Sequence, residues 1–103
     1  MTLDEYAREV AAVVGIEAGA PVTNDKLAYI ALGLAGEAGE VADNVKKMFR
    51  DGLDDLGPAA DELGDVIFYW ACLCTMAGRS PSDVLRQSAE KVHRKLGGRT
   101  GIK

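Results

Sequence analysis

Cysteine, histidine and tryptophan are scarce in this 103-residue sequence, which contains two cysteines, one histidine and one tryptophan. Cys72 and Cys74 are two residues apart in an apolar segment. On a helix that spacing points the two side chains to different sides, which argues against both a zinc clasp and a disulfide between them. We therefore predict that both cysteines are small, reduced core residues.

The sequence also lacks a long apolar run and an excess of positive charge. Its longest apolar run, Val66–Cys74, covers about half of a bilayer core, and Met1–Glu5 has neither the basic nor the apolar segment of a signal peptide. The net charge is −4 and the pI is about 4.9, whereas binding to a nucleic-acid backbone depends on Lys and Arg. We expect a cytoplasmic protein that binds neither membranes nor nucleic acids.

What the sequence does contain is helical periodicity, which predicts an all-α bundle of four to five helices. The first helix has Thr2 as its N-cap with Glu5 three residues later, a capping-box pattern, and ends near Gly15. The other predicted helices run from Thr23 or Asn24 to about Arg50, from Pro58 to about Ala77, and from Ser80 to about Lys95. Residues 96–103 are predicted to form a loose basic tail. We predict one domain over residues 1–103, and we expect oligomerisation to complete the core because so short a chain buries little surface alone.

An acidic residue interrupts the apolar face of the predicted second helix. That face follows intervals of three, four and seven residues through Leu27, Ile30, Leu34, Val41, Val45 and Met48. Glu37 lies three residues after Leu34 and four before Val41, so it shares the inward face with them. Glycines surround it at positions 33, 36 and 39. Each costs a helix about 1 kcal/mol relative to alanine, which indicates the close approach of a backbone or ligand.

Two acidic pairs at i, i+3 spacing are the main functional signal: Glu37 with Glu40, and Glu62 with Asp65. Residues at this spacing are neighbours on a helix surface. Four carboxylates on one inner seam need a counter-ion, because an unpaired buried carboxylate takes up a proton instead. Mg²⁺ and Mn²⁺ prefer oxygen ligands of this kind. Either pair alone would be an ordinary solvated helix face, but together they predict one metal site. A di-iron bundle is excluded, because it needs Glu-x-x-His pairs and the only histidine, His93, lies outside both motifs.

The residues around the two pairs resemble a known family. They are Gly-Leu-Ala-Gly-Glu-Ala-Gly-Glu-Val from Gly33 to Val41, Lys46-Lys47, and Asp-Glu-Leu-Gly-Asp-Val-Ile-Phe-Tyr from Asp61 to Tyr69. The chain resembles the MazG-like branch of the all-α nucleoside triphosphate pyrophosphohydrolases from about Asn24 to Lys95. This resemblance implies hydrolysis of a (d)NTP to the monophosphate and diphosphate, with Mg²⁺ or its substitute Mn²⁺. It also implies a homodimer or homotetramer that serves in nucleotide-pool cleaning or control.

The resemblance assigns roles to individual residues as well. The implied metal ligands are Glu37, Glu40, Glu62 and Asp65, and either Glu37 or Glu40 accepts the proton of the attacking water. The implied substrate contacts are Lys47, Tyr69, Lys91 and Arg94. The basic residues among these also suit the ends of helices, where they complement the helix dipole. Two other functions stay open: hydrolysis of phosphoribosyl-ATP, and a non-catalytic helical module that binds metal or nucleotide.

Overall fold

The structure of the protein is a computed structural model that describes residues 1–97. Within that part of the chain it contains four α-helices and no strand. They are α1 (Leu3–Val14), α2 (Asn24–Asp51), α3 (Gly57–Met76) and α4 (Pro81–Leu96). The all-α prediction is therefore confirmed, and the predicted helix ends are right to within one or two residues. Leu96 closes α4 instead of opening a tail, and the remainder of the predicted basic tail lies outside the described residues apart from Gly97.

Local capping chemistry fixes where the helices begin. At α1 the Thr2 hydroxyl accepts from the Glu5 backbone N–H at 3.0 Å, and the Glu5 carboxylate accepts from the Thr2 backbone N–H at 3.0 Å. At α2 the Thr23 hydroxyl accepts from the Lys26 backbone N–H, and at α4 the Ser80 hydroxyl accepts from the Asp83 backbone N–H, each at 3.2 Å. Each cap satisfies a backbone N–H that has no partner within its own helix. These starts need no tertiary contact, which is why the sequence predicted them.

The core lies where α1, α2 and α3 meet. Its largest fully buried side chains are Ile30 of α2 and Cys72 of α3. Cys72 and Cys74 are both buried and unpaired with each other, as predicted. Helix α3 contributes four buried residues, more than any other described helix: Ala59, Ala71, Cys72 and Cys74. Helix α3, which carries the apolar run Val66–Cys74, is therefore the most buried of the described helices.

The predicted apolar face of α2 is only partly buried. Ile30 is fully enclosed, Leu34, Val41 and Val45 are half-buried, and Leu27 is 43% exposed. The prediction that Leu27 faces the interior is therefore wrong. The face runs the length of α2, which has 28 residues, whereas α3, the helix that packs on it, has only 20.

Helix α4 is attached to the other helices mainly through its first turn. Pro81 is its only buried residue, while Leu85 and Val92 are 44% and 52% exposed. Asp4 of α1 holds this turn, because its carboxylate accepts from the Ser82 backbone N–H at 3.0 Å and from the Ser82 hydroxyl at 2.7 Å. Among the described residues α4 packs on α1 and α3 but not on α2. None of the four helices combines the length and the apolar character that a membrane crossing requires.

Candidate metal centre

The candidate site lies on the α2–α3 pair, the most extensive helix packing in the described part of the chain. The two helices are joined by a short link, and the Asn44 side-chain amide donates to the Pro58 carbonyl oxygen across it at 3.4 Å. This contact ties the middle of α2 to the first turn of α3. It holds the acid-bearing segments of the two helices side by side.

Three of the four predicted metal ligands come together. Glu37 of α2 and Glu62 and Asp65 of α3 each present a carboxylate oxygen, and these three oxygens all lie within 4.8 Å of one another. Glu37 and Glu62 are half-buried, whereas Asp65 is exposed and opens the group to solvent. A set of three carboxylate oxygens from two helices suits a hard divalent cation such as Mg²⁺ or Mn²⁺, which fills its other positions with water or phosphate oxygens.

The electrostatics of these three carboxylates also favour a cation. The pKa of Glu62 is raised above its ordinary value, first by hydrogen bonding with the Glu37 side chain, then by burial and by the negative charges of Glu37 and Asp65. A carboxyl group whose ionised form is opposed in this way gains when a cation replaces the proton. The residues present therefore fit a divalent metal ion.

Glu40, the fourth predicted ligand, does not join the group of three carboxylates. It lies one helical turn beyond Glu37 on α2 and is exposed. Its side chain stays on the solvent side of the site. Of the two predicted metal ligands on α2, the structure thus brings one to α3 and leaves the other outside the group.

Tyr69 of α3 lies directly against α2 beside this group. A methyl group in place of the hydrogen at Gly33 would collide with the Tyr69 ring, so glycine is required there. Burial raises the pKa of the Tyr69 hydroxyl, with further contributions from Tyr29 and the negative charge of Glu37. The predicted close approach therefore holds at Gly33. At Gly36 and Gly39 an added methyl group would meet open space within this chain, so the close approach of a ligand there stays a prediction.

The predicted basic substrate contacts are not gathered at the site. Lys47 lies ten residues after Glu37 on α2, a rise of about 15 Å, and its ammonium is 3.0 Å from the Asp43 carboxylate. Lys91 and Arg94 are exposed on α4, the helix that does not pack on α2 within the described residues. The single described chain thus brings the carboxylates and Tyr69 together but not the cations.

Sequence reasoning missed Tyr29. This residue is 69% exposed and lies four residues before Gly33 and eight before Glu37, which places all three on one face of α2. The signal was present in the sequence, as the spacing i, i+4, i+8 ending at a predicted ligand. It was hidden because the apolar face was followed through Leu27 and Ile30 instead.

Comparison with known proteins identifies the family of the chain. The model of the MazG nucleotide pyrophosphohydrolase domain matches residues 26–100, which include all three gathered carboxylates and Tyr69. The chain belongs to the MazG family. This MazG chain is also 39% identical to the Gene 37 protein of Mycobacterium phage L5 over 74 aligned residues, which cover 64% of the chain and 62% of the phage protein. The chain thus spans less than two thirds of that relative, and no solved structure matches it.

The MazG match begins at Lys26, two residues into α2. Helix α1 therefore lies outside the matched region, although it supplies Asp4 to the first turn of α4 and contributes to the core around Ile30. The matched region holds the metal-binding candidates, whereas α1 supports them from outside.

Proposed function

We propose that the protein is a Mg²⁺-dependent nucleoside triphosphate pyrophosphohydrolase that converts a (d)NTP and water to the monophosphate and diphosphate. The observation that carries this proposal is the group of three carboxylate oxygens that two helices bring within 4.8 Å of one another. Membership in the MazG family supports the reaction class. A role in nucleotide-pool cleaning or control follows if the substrate is a free (d)NTP.

Glu37, Glu62 and Asp65 would hold Mg²⁺ or Mn²⁺ in this site. A bound divalent ion there would neutralise phosphate charge and lower the pKa of a coordinated water. Water attacks the α-phosphorus, the bond from that phosphorus to the bridging oxygen breaks, and diphosphate leaves. Glu40 is the carboxylate that we propose accepts the water's proton, because it lies one turn from Glu37 and outside the group of three.

The cations that would complete the site come, in this proposal, from a second copy of the chain. Lys91 and Arg94 are exposed on α4, which does not pack on α2 in the described chain, so we propose that they reach a substrate bound there from a neighbouring subunit. Lys47 would first have to leave Asp43, an exposed ion pair that costs little to break. The homodimer or homotetramer expected from the sequence meets this need.

The test is a hydrolysis assay with Mg²⁺ against the eight common (d)NTPs and phosphoribosyl-ATP, with diphosphate and monophosphate both measured. In ¹⁸O-water the label should enter the monophosphate, because the attack is on the α-phosphorus. Asp65→Asn should lower kcat/KM by about 100-fold or more, as expected when a group that stabilises transition-state charge is lost. Asp61→Asn is the matched control, because Asp61 is an exposed acid on the same helix outside the group of three.

Each possible result of this assay tests one part of the proposed function. If only phosphoribosyl-ATP yielded diphosphate, phosphoribosyl-ATP would be the substrate in place of a (d)NTP. If no substrate yielded diphosphate while Mg²⁺ binding stayed intact, the proposed activity would be wrong and the protein would be a binding module. An equal loss in Asp61→Asn and Asp65→Asn would contradict the assignment of the metal ligands.

A further inference from the structure

One face of α2 carries an aromatic side chain that the proposed reaction does not use. Tyr29, Gly33 and Glu37 follow one another at four-residue intervals, so they stack along one side of the helix. The rise from Tyr29 to Glu37 is about 12 Å. Tyr29 therefore lies about two turns from Glu37, on the same side of the helix.

Tyr69 fills the space between these two ends. Its ring lies on the α2 backbone at Gly33, where any side chain would displace it. The Tyr29 hydroxyl and the Glu37 carboxylate both act on Tyr69, since each contributes to the raised pKa of its hydroxyl after burial. The surface thus runs from one aromatic ring to a second and then to the carboxylates.

Tyr29 differs from Tyr69 in its access to solvent. Tyr69 is half-buried and packs edge to face with Phe68, with ring centroids 5.0 Å apart. Tyr29 is 69% exposed, so a flat ligand can reach its ring. An exposed aromatic ring offers a stacking surface that accepts any base, because every base has a π-face.

We propose that Tyr29 is the platform on which the nucleobase of the substrate stacks while its triphosphate lies at the three carboxylates. The inference rests on the proposed function, because it takes the nucleoside triphosphate as the ligand. Tyr69 lies under the part of the nucleotide between base and phosphates and holds the platform side of α2 in place. Recognition through stacking makes the site tolerant of base identity, and purines gain more than pyrimidines because their ring area is larger.

The test compares Tyr29→Ala, Tyr29→Phe and Phe49→Ala in steady-state kinetics with Mg²⁺. Phe49 is the matched control, an exposed aromatic on the same helix at 76% exposure, twelve residues beyond Glu37 and away from the face of Tyr29. Tyr29→Ala should raise KM about tenfold, with a larger rise for dATP than for dCTP, and leave kcat within about twofold. Tyr29→Phe keeps the ring and should match the wild type, as should Phe49→Ala.

Unchanged KM in Tyr29→Ala would overturn the proposal, and so would an equal rise in Phe49→Ala. If Tyr29→Ala changes the molecular mass of the assembly but leaves KM unchanged when variant and wild type are compared in the same oligomeric state, Tyr29 belongs to a subunit interface instead. If the wild type has no activity, titration with a non-hydrolysable dATP analogue separates the two ideas. If the analogue then binds Tyr29→Ala more weakly than Phe49→Ala, the stacking role of Tyr29 is supported although the proposed activity is not. Equal binding of the analogue to both variants would contradict the stacking role as well.

Discussion

At the scale of single residues, Glu62 lies in surroundings that oppose its negative charge. Its pKa is raised because the Glu37 side chain hydrogen-bonds to it, because it is half-buried, and because Glu37 and Asp65 are negatively charged. A carboxyl group with a raised pKa holds its proton more tightly in the folded state than in the unfolded state. Its stabilising contribution is therefore present at low pH and is lost as the pH rises above the ordinary value of 4.5 and through the folded value.

We predict that Glu62→Gln changes the pH dependence of stability in the metal-free protein. At pH 7 the variant should unfold at a higher temperature than the wild type, because the opposed negative charge is gone, and the gap should narrow towards pH 4. Excess Mg²⁺ should reverse the order, since binding at a hundredfold its Kd stabilises the wild type by about 2.7 kcal/mol. Thermal unfolding followed by circular dichroism measures both effects, with Asp61→Asn as the control. A gap between variant and wild type that is the same at both pH values would contradict the prediction.

How far the sequence predicts the site depends on the same residues. Glu37 was found because it falls in the apolar face of α2, and Glu62 and Asp65 because they precede the most buried segment of α3. The apolar face of α2 already distinguished Glu37, but the sequence could not show that Glu40 stays outside the group of three, because that depends on how α2 crosses α3. That crossing arises from packing around Ile30 and Tyr69, which no local pattern encodes. The position of α4, the helix that carries Lys91 and Arg94, also depends on tertiary packing that no local pattern encodes.

At the scale of elements, the attachment of α4 depends on a carboxylate from another helix. Asp4 accepts two hydrogen bonds from Ser82, and these bonds hold its pKa below the ordinary value of 3.8. Its contribution to stability is therefore present above about pH 4 and is lost as the pH falls through the lowered folded value. Helix α4 has little other attachment, since Pro81 is its only buried residue.

We predict that Asp4→Ala loosens α4 before it unfolds the remainder of the chain. The variant should lose several degrees of thermal stability, the size of effect expected when one cap is removed in a small domain. Amide hydrogen exchange should accelerate over residues 82–96 and much less over α2 and α3. Glu9→Ala is the control, because Glu9 is an exposed acid of the same helix. Uniform acceleration across all four helices would contradict a local role for Asp4.

The elements themselves were largely predictable, because their ends are encoded locally. Thr2, Thr23 and Ser80 begin helices through their own hydroxyl groups, and Gly15 and Gly52 end helices in the left-handed conformation that glycine favours. The error at Leu27 has a different origin. Periodicity shows which residues share a face, but not how much of that face a shorter neighbour covers.

At the scale of the whole molecule, the described chain has a small core and a large surface. Its eight buried hydrophobic residues are mostly alanine and cysteine. Its accessible surface is 7334 Å², against about 5,600 Å² for a compact monomer of this mass. Its radius of gyration is 16.3 Å, against about 13 Å for a compact chain of this length. Large apolar side chains such as Val13 and Leu32 remain more than two thirds exposed.

We predict that the protein is at least a dimer and that its stability depends on concentration. A partner subunit would cover apolar side chains such as Leu32 that a single chain leaves exposed. Sedimentation velocity should give a mass of two or four chains, and the unfolding temperature should rise with protein concentration because subunit binding stabilises the folded state. A constant mass of 10.9 kDa and a concentration-independent unfolding temperature would contradict this. Leu32→Asp should shift the mass towards one chain, while Asp54→Asn, an exposed polar change, should not.

The three carboxylates all belong to one helical hairpin, in which a link of five residues joins α2 to α3. Contacts that are close in sequence cost little loop-closure entropy and form quickly during folding. The three carboxylates can therefore come together when α2 and α3 first pair, before the contact between Asp4 of α1 and Ser82 of α4 closes. A divalent ion bound at that stage would hold the two helices of the hairpin together. It would bias folding towards the pairing of α2 with α3 that the structure shows.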